Sequence, residues 1–500
     1  MEVSGAVSVA LDPGAEKPAP ATRAQRDRLV LGFLGAALAL GALRFLALGR
    51  FGLWLDEALT LADSVSGGTE SNPFGYWLFD WFYSFAKYRP DEAWMRLPAA
   101  VFGCASILAT FWALLPFLGA RAAALAAFFV SASTWHLYWS QNARFYTLAQ
   151  GLAVLGGGVL LRGLYGGLLR RTALGLFLLV LSALTHPSAA FLIGPLFLLP
   201  WVVYWFEWVP PERLRARAWS LFGLAGLLTL VIGSGWALRT WFKWEARQGT
   251  GSFFHFAKTV GYLMTPTVGL AFVFGVLRQW RDRASFVPLA AAALGLSAAA
   301  LASFFVRVSA QYVFVLQPWV AACAALALAP RTGSTLSDAR IVRWALLIAA
   351  PGLLEMTLYF TVRNGDRPHW REAYAYVFEH RGSQDLVLGM EAPVAEYYLD
   401  PRTRTLRRWT QVTWLDDFRS RMPQDWMRYG RAVWFVVNET QLDDWTGLPD
   451  SAANRAEFQR ILREECQRVA DFPVPLTPRD LDVSVYLFRP GPTEAHVGDG

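Results

Sequence analysis

The sequence predicts a mainly α-helical, polytopic membrane protein that ends in a smaller α/β domain. Three observations predict it. Of the 500 residues, 54% are hydrophobic and only 17% charged, with 23 Trp and 35 Phe, which is too apolar for a soluble chain of this size. Apolar runs close to the ~20 residues that cross hydrocarbon recur along the chain as far as residue 362. After Gly365 the composition turns polar, and short β-branched or aromatic runs alternate with stretches of helical period.

Residues 1–28 are rich in Ala and Pro and carry Lys17, Arg23, Arg26 and Arg28, the composition of a disordered, basic cytoplasmic tail. The apolar run that follows lacks a small-residue cleavage site, so it reads as a retained anchor. Eleven spans are expected, at about 29–49, 95–118, 121–138, 146–168, 172–186, 188–206, 218–238, 259–277, 285–306, 312–330 and 343–362. With the N-terminus inside, the inner loops hold Arg170 and Arg171, Arg213 to Arg217, Arg278 to Arg283, and Arg331 to Arg343. The outer loops are longer yet poorer in cations, which fits the inside-positive bias. Odd parity then places the first loop and everything after about residue 363 on the extracytoplasmic side of an inner or plasma membrane. The net charge of +7 is accounted for by these loops, and no basic-aromatic nucleic-acid module appears. Cys104, Cys323 and Cys466 show no metal-binding spacing and form no disulfide framework.

Three units follow: the tail 1–28, a membrane unit 29–363 and a soluble α/β unit 364–500. In the last, Trp370 to His380 has helical period with Gly382 placed as a cap. Asp385–Leu388, Ala432–Val437 and Val483–Phe488 read as strands, and Ala453 to Val469 as an amphipathic helix. Asn438-Glu439-Thr440 has the form of a glycosylation acceptor at a strand end.

Polar residues concentrate in four outward-facing places. The loop of about 50–94 carries Asp56, Glu57, Asp63 and Glu70, then the aromatic stretch Tyr76 to Tyr83, which suits an interfacial helix. Gln141 to Thr147, with Arg144 and Tyr146, separates the third and fourth spans. Arg239 to Lys258 includes Lys243, Arg247, His255 and Lys258. Arg307, Gln311 and Tyr312 form a short polar break. Cations and tyrosine hydroxyls of this kind suit an anionic phosphate at a membrane surface, which arginine grips with paired hydrogen bonds. Adjacent carboxylates at the end of a span are expensive to keep near hydrocarbon and so point to function, although the end of a helix also explains such a pair. Arg44 and Glu355 lie inside spans and read equally as packing partners or pocket residues, and His186 sits before Pro187 at a hairpin break.

Leu53-Trp54-Leu55-Asp56-Glu57-Ala58, Arg96-Leu97-Pro98-Ala99-Ala100 and Ala143-Arg144-Phe145-Tyr146-Thr147-Leu148, in this order, resemble the bacterial protein-mannosyltransferase-like branch of the GT-C glycosyltransferases. The lipid A aminoarabinose transferases belong to the same group. Trp370 to Ala373 and Asp385 to Leu388 are similar to the C-terminal domains of such enzymes. The resemblance implies transfer of a sugar from a polyprenyl-phosphate carrier to an envelope protein, glycolipid or polysaccharide. Asp56 would be the general base, Glu57 a positioning residue, and Arg144 and Tyr146 the grip on the carrier phosphate. Family members commonly have His-Pro-Pro where this chain has Asn72-Pro73-Phe74, and Arg-Tyr where it has Gln311-Tyr312. Arg307, four residues before Gln311, would replace that cation if both lay on one helix face. No cofactor is implied beyond the lipid-linked donor, although the acids of the first loop leave a divalent cation open.

Two other classes compete. A transporter or flippase of lipid-linked sugars would bury charges at mid-membrane and often shows two similar halves, and none are visible. A non-catalytic envelope scaffold would keep the fold without needing Asp56.

Overall fold

The computed structural model describes residues 21–65, 72–86, 90–205, 217–231, 233–248, 251–330, 336–390, 392–399, 412–414, 431–440, 451–477 and 480–490. Helix α1 runs over Ala21–Ala42, so helical structure begins earlier than the tail boundary expected at residue 28. It is followed by α2 (Leu55–Val65), α3 (Pro73–Tyr83), α4 (Glu92–Leu118), α5 (Ala120–Ser131), α6 (Thr134–Ser140), α7 (Tyr146–Gly166), α8 (Leu169–Thr185) and α9 (Ala190–Trp205). Next come α10 (Arg217–Val231), α11 (Gly233–Gln248), α12 (Phe253–Leu263), α13 (Pro266–Gln279), α14 (Arg283–Ala302), α15 (Gln317–Leu328) and α16 (Asp338–Thr361).

Each of the eleven expected spans contains helix, but not each is one straight helix. Among the described residues, six helical segments are long and apolar enough to cross a membrane, or up to eight if each of two bent pairs counts as one. The expected span 259–277 is broken: α12 and α13 meet at 98° around Thr265, which has φ 60, and Pro266 opens the second helix. The expected span 121–138 is likewise two short helices. Large apolar side chains such as Leu108, Trp112, Phe177, Leu227, Leu347 and Leu354 stay exposed, as lipid-facing positions do in a multi-pass membrane protein.

Small residues let the helices meet closely, the usual device where lipid removes the hydrophobic drive to associate. A Cβ added at Gly158 of α7 would lie 2.7 Å from Ala113 Cβ on α4. One added at Gly175 of α8 would lie 2.4 Å from Leu160 N. Arg44, expected as an intramembrane charge, is fully buried and donates to Leu40 O at 2.6 Å, Ser131 O at 2.8 Å and His136 Nδ1 at 3.1 Å. It is a packing partner.

The C-terminal unit holds α17 (Trp370–His380), β1 (Leu386–Gly389), α18 (Ala392–Leu399), β2 (Val412–Trp414), β3 (Val433–Val437), α19 (Ser451–Glu464), β4 (Gln467–Phe472) and β5 (Val483–Phe488). Among the described residues the strands form one sheet in the order β2-β1-β3-β5-β4, parallel through the first three and antiparallel at β5 and β4. Trp370, Ala373, Tyr374 and Val377 of α17 pack with the buried strands. Two expectations fail. The helix expected to reach Val469 stops at Glu464, and Arg468 and Val469 join β4, whose partner β5 supplies the ladder. Gly382 is not a left-handed cap, because Arg381 is already extended and Gly382 N–H donates to Asp385 Oδ2 at 2.8 Å. Asn438 is buried, its amide donating to Asp480 O at 3.2 Å.

Gly158→Val should lower the thermal midpoint in detergent, since overpacking a close crossing costs about 1–3 kcal/mol. Val at the open Gly194, where an added Cβ meets nothing within 4 Å, is the control and should change little.

Candidate active site

Helix α2 places its two acids on different sides. Glu57 and Asp56 occupy its first turn, where carboxylates favour the helix dipole, and consecutive residues point about 100° apart. Glu57 turns inward and is fully buried. Its Oε1 accepts from Arg96 Nε at 2.7 Å and from Ala143 N–H at 2.9 Å. Its Oε2 accepts from Arg96 Nη2 at 2.7 Å, Arg367 Nε at 3.2 Å and Trp54 N–H at 3.3 Å. Burial alone would raise its pKa, but the two guanidinium groups and these hydrogen bonds hold it down at about 2.

The arginines make further hydrogen bonds in turn. Arg96 also donates to Leu48 O and Phe51 O at 2.7 Å and to Gly52 O at 2.8 Å. Arg367 reaches Gln141 O at 2.5 Å, Gly365 O at 2.8 Å and Tyr359 OH at 3.0 Å, and lies over the Tyr138 ring. One carboxylate therefore joins α2, α4, the α6–α7 turn and the segment leading into the C-terminal domain. Neither arginine was singled out as a site residue from sequence. The signal available was a charge inside an apolar span at Arg96 and a cation just after the last span at Arg367.

Asp56 faces the other way and is half-buried. Beside it Arg144 Nη1 donates to Thr60 Oγ1 at 2.8 Å and lies 3.5 Å from Asp56 O. Burial works against the Arg144 charge, but Asp56, Tyr146 and Tyr76 hold its pKa above the ordinary value, so it stays cationic. Tyr76, on α3, donates to Asp63 Oδ2 at 2.9 Å, and burial pushes its phenol up to about 12. The Tyr146 ring lies 4.4 Å from that of His186, and His186 stacks toward Tyr312 at 6.3 Å. Asp56, Arg144, Tyr146, His186 and Tyr312 are thus brought together, and Tyr76 and Thr60 join them. Asn142 is buried with no partner for either amide atom among the described residues.

The remaining expected residues are placed differently. Arg307 and Gln311 do not share a helix face, because residues 307–309 are non-helical and Ala310–Leu316 is a 3-10 helix. Both are half-buried, and neither has a hydrogen-bond or ion-pair partner among the described residues. Glu355 pairs with Arg363 and accepts from Tyr262 OH at 3.3 Å, which makes it a tie between α16 and α12. Lys258 is exposed on α12. Lys243 lies on α11, its side chain outside those described, and Glu70 lies outside the described residues. No group of three His, Cys, Asp or Glu able to hold a metal ion occurs among the described residues, and both oxygens of Glu57 are occupied by arginines.

Because the folded pKa of Glu57 is depressed, its stabilisation is present above the unfolded value of 4.5 and is lost as pH falls toward about 2. Wild-type melting temperature should therefore drop between those values. Glu57→Gln should be destabilised already at pH 7, by about 3–5 kcal/mol, because it strands two buried cations. Melting curves of both proteins against pH check this.

The sequence matches no protein-family model and no curated protein. Similarity appears among solved structures. ArnT from Cupriavidus metallidurans in the apo state is 15% identical over 93% of this chain and 98% of that one, with a TM-score of 0.54. The same protein bound to undecaprenyl phosphate gives 15%, 92%, 97% and 0.53. The apo oligosaccharyltransferase of Archaeoglobus fulgidus is 11% identical over 86% of this chain and 71% of that one, at 0.54. The match runs through the membrane helices and the C-terminal unit alike, and this chain has the fold of the GT-C glycosyltransferases.

Proposed function

We propose that the protein is a membrane glycosyltransferase that moves a sugar from a polyprenyl-phosphate donor to an envelope acceptor at the extracytoplasmic face. The observation that carries this reading is the half-buried Asp56 carboxylate set beside a cationic Arg144. A base and an anion grip side by side are what transfer from a lipid phosphate needs. The similar ArnT structure bound to undecaprenyl phosphate supports a lipid-phosphate ligand for a fold of this kind.

Asp56 takes the proton of an acceptor hydroxyl as its oxygen attacks the anomeric carbon. The bond from that carbon to the phosphate oxygen breaks, and its electron pair leaves with the polyprenyl phosphate. Arg144 holds the phosphate and offsets the charge that develops on it, aided by Tyr146; Arg307 and Gln311 are candidates for further phosphate contacts. Attack opposite the leaving phosphate with a single base inverts the anomeric centre. The contacts of the C-terminal domain with the first loop support a single side of the membrane for both, and the cation bias of the other loops supports the extracytoplasmic one. The acceptor is a protein, glycolipid or polysaccharide of the envelope.

The purified protein, given radiolabelled polyprenyl-phosphate sugars and a membrane extract, should move label from carrier to acceptor. Asp56→Asn should melt like wild type and lose about 10²–10⁴-fold in rate. Arg144→Ala should lose about 10²-fold. Equal transfer by Asp56→Asn and wild type would remove Asp56 as the base. Failure of the wild type with every donor tried would overturn the glycosyltransferase reading in favour of transport or scaffolding.

A further inference from the structure

The segment that carries Asp56 is fastened along its length by the C-terminal domain. Leu53 N–H, fully buried, donates to Tyr398 OH at 2.6 Å, and that hydroxyl donates to Glu92 Oε1 at 3.1 Å. Arg371 reaches Gly49 O at 3.3 Å, Arg50 O, and Glu92 Oε1 at 3.4 Å. Tyr397 OH donates to Pro90 O at 3.0 Å. Arg367 closes the far end on Glu57 and Gln141. A Cβ at Gly365 would lie 2.5 Å from the Phe51 ring, so the linker lies directly against the same segment. Residues 49–54 form no helix or strand, so their path depends on these bonds together with those of Arg96 to Phe51 O and Gly52 O.

Arg371, Gly365, Tyr398 and Arg367 meet consecutive stretches of this one short segment, and they end one residue from the proposed base. We infer that the C-terminal domain is a positioning element for the reaction, with Tyr398 and Arg367 as the positioning residues that set the direction of Asp56. The domain would then govern the rate of transfer rather than the binding of the lipid donor, whose phosphate grip lies on α7 and the turn before it. This inference rests on the glycosyltransferase reading above.

The test uses the full-length protein in detergent and three variants: Tyr398→Phe, Arg367→Lys and Arg367→Gln. Tyr398→Phe removes one hydroxyl and keeps the ring, so it is the variant expected to fold. Hydrogen exchange at Leu53 to Glu57 should speed up at least tenfold in Tyr398→Phe, while the amides of α4 and α7 stay unchanged. Its kcat, normalised to folded protein, should fall about tenfold or more with donor KM within about threefold of wild type. Arg367→Gln should lose more, and Arg367→Lys should recover part of that loss, since it keeps the charge facing Glu57 but not the fork. Unchanged exchange and unchanged kcat in Tyr398→Phe overturn the proposal. A fall in melting temperature with kcat per folded molecule preserved also overturns it, leaving docking alone. If wild type transfers no label, the glycosyltransferase reading fails and the positioning role with it, and the exchange data then report only the fastening.

Discussion

The arrangement depends on one buried carboxylate shared by two arginines. Removing Glu57, Arg96 and Arg367 from water is costly, and the pair attraction repays that cost only when further hydrogen bonds meet the other donors. Here those donors find carbonyls at Leu48, Phe51, Gly52, Gln141 and Gly365 and the hydroxyl of Tyr359, which leaves one N–H of Arg367, whose guanidinium lies over the Tyr138 ring. Those acceptors belong to segments far apart in sequence. Satisfying all of them together fixes where the first loop, the α6–α7 turn and the start of the C-terminal domain lie with respect to one another.

That constraint also explains how two adjacent acids come to differ. With Glu57 locked inward, the helical turn sends Asp56 toward Arg144 and the Tyr146–His186–Tyr312 rings. The direction of the half-buried Asp56 follows from the burial of its neighbour. A single-residue shift of α2 would set the shorter Asp56 against both arginines and displace Ala58 and Leu61 from their buried positions, so charge and apolar face favour the same register.

Much of this was legible in the sequence, because membrane spans are written in composition and need no partner to be seen. Trp370 to His380 and the strands at 433–437 and 483–488 were equally visible, since their periods are local. What was hidden is what depends on distant residues. Arg367 and Glu57 are 310 positions apart, and no local pattern announces their pairing. The Arg468–Val469 stretch looked helical until β5 offered it a ladder, and Arg307 looked like one turn before Gln311 until the backbone proved non-helical there. Pro266 did signal the break between α12 and α13, but a run of apolar residues on both sides masked it.

The arginines of this chain separate into two kinds by how far they are enclosed. Arg96 and Arg367 are enclosed, their donors turned to Glu57 and to protein oxygens, and a ligand could reach neither without breaking the first loop. Arg44 is enclosed as well, held by two carbonyls and His136. Arg144 is different: it is half-buried, its Nε has no partner among the described residues, and the groups around it are hydroxyls that accept or donate equally well. Arg307 is also half-buried, at the break before the 3-10 helix. A guanidinium that is partly open can still take an anion that the protein does not itself supply. Charge alone does not separate the two kinds, since all five are arginines near the membrane. What separates them is partial exposure: Arg44, Arg96 and Arg367 are fully enclosed, whereas Arg144 and Arg307 are half-buried, the condition that the proposed anion grip needs.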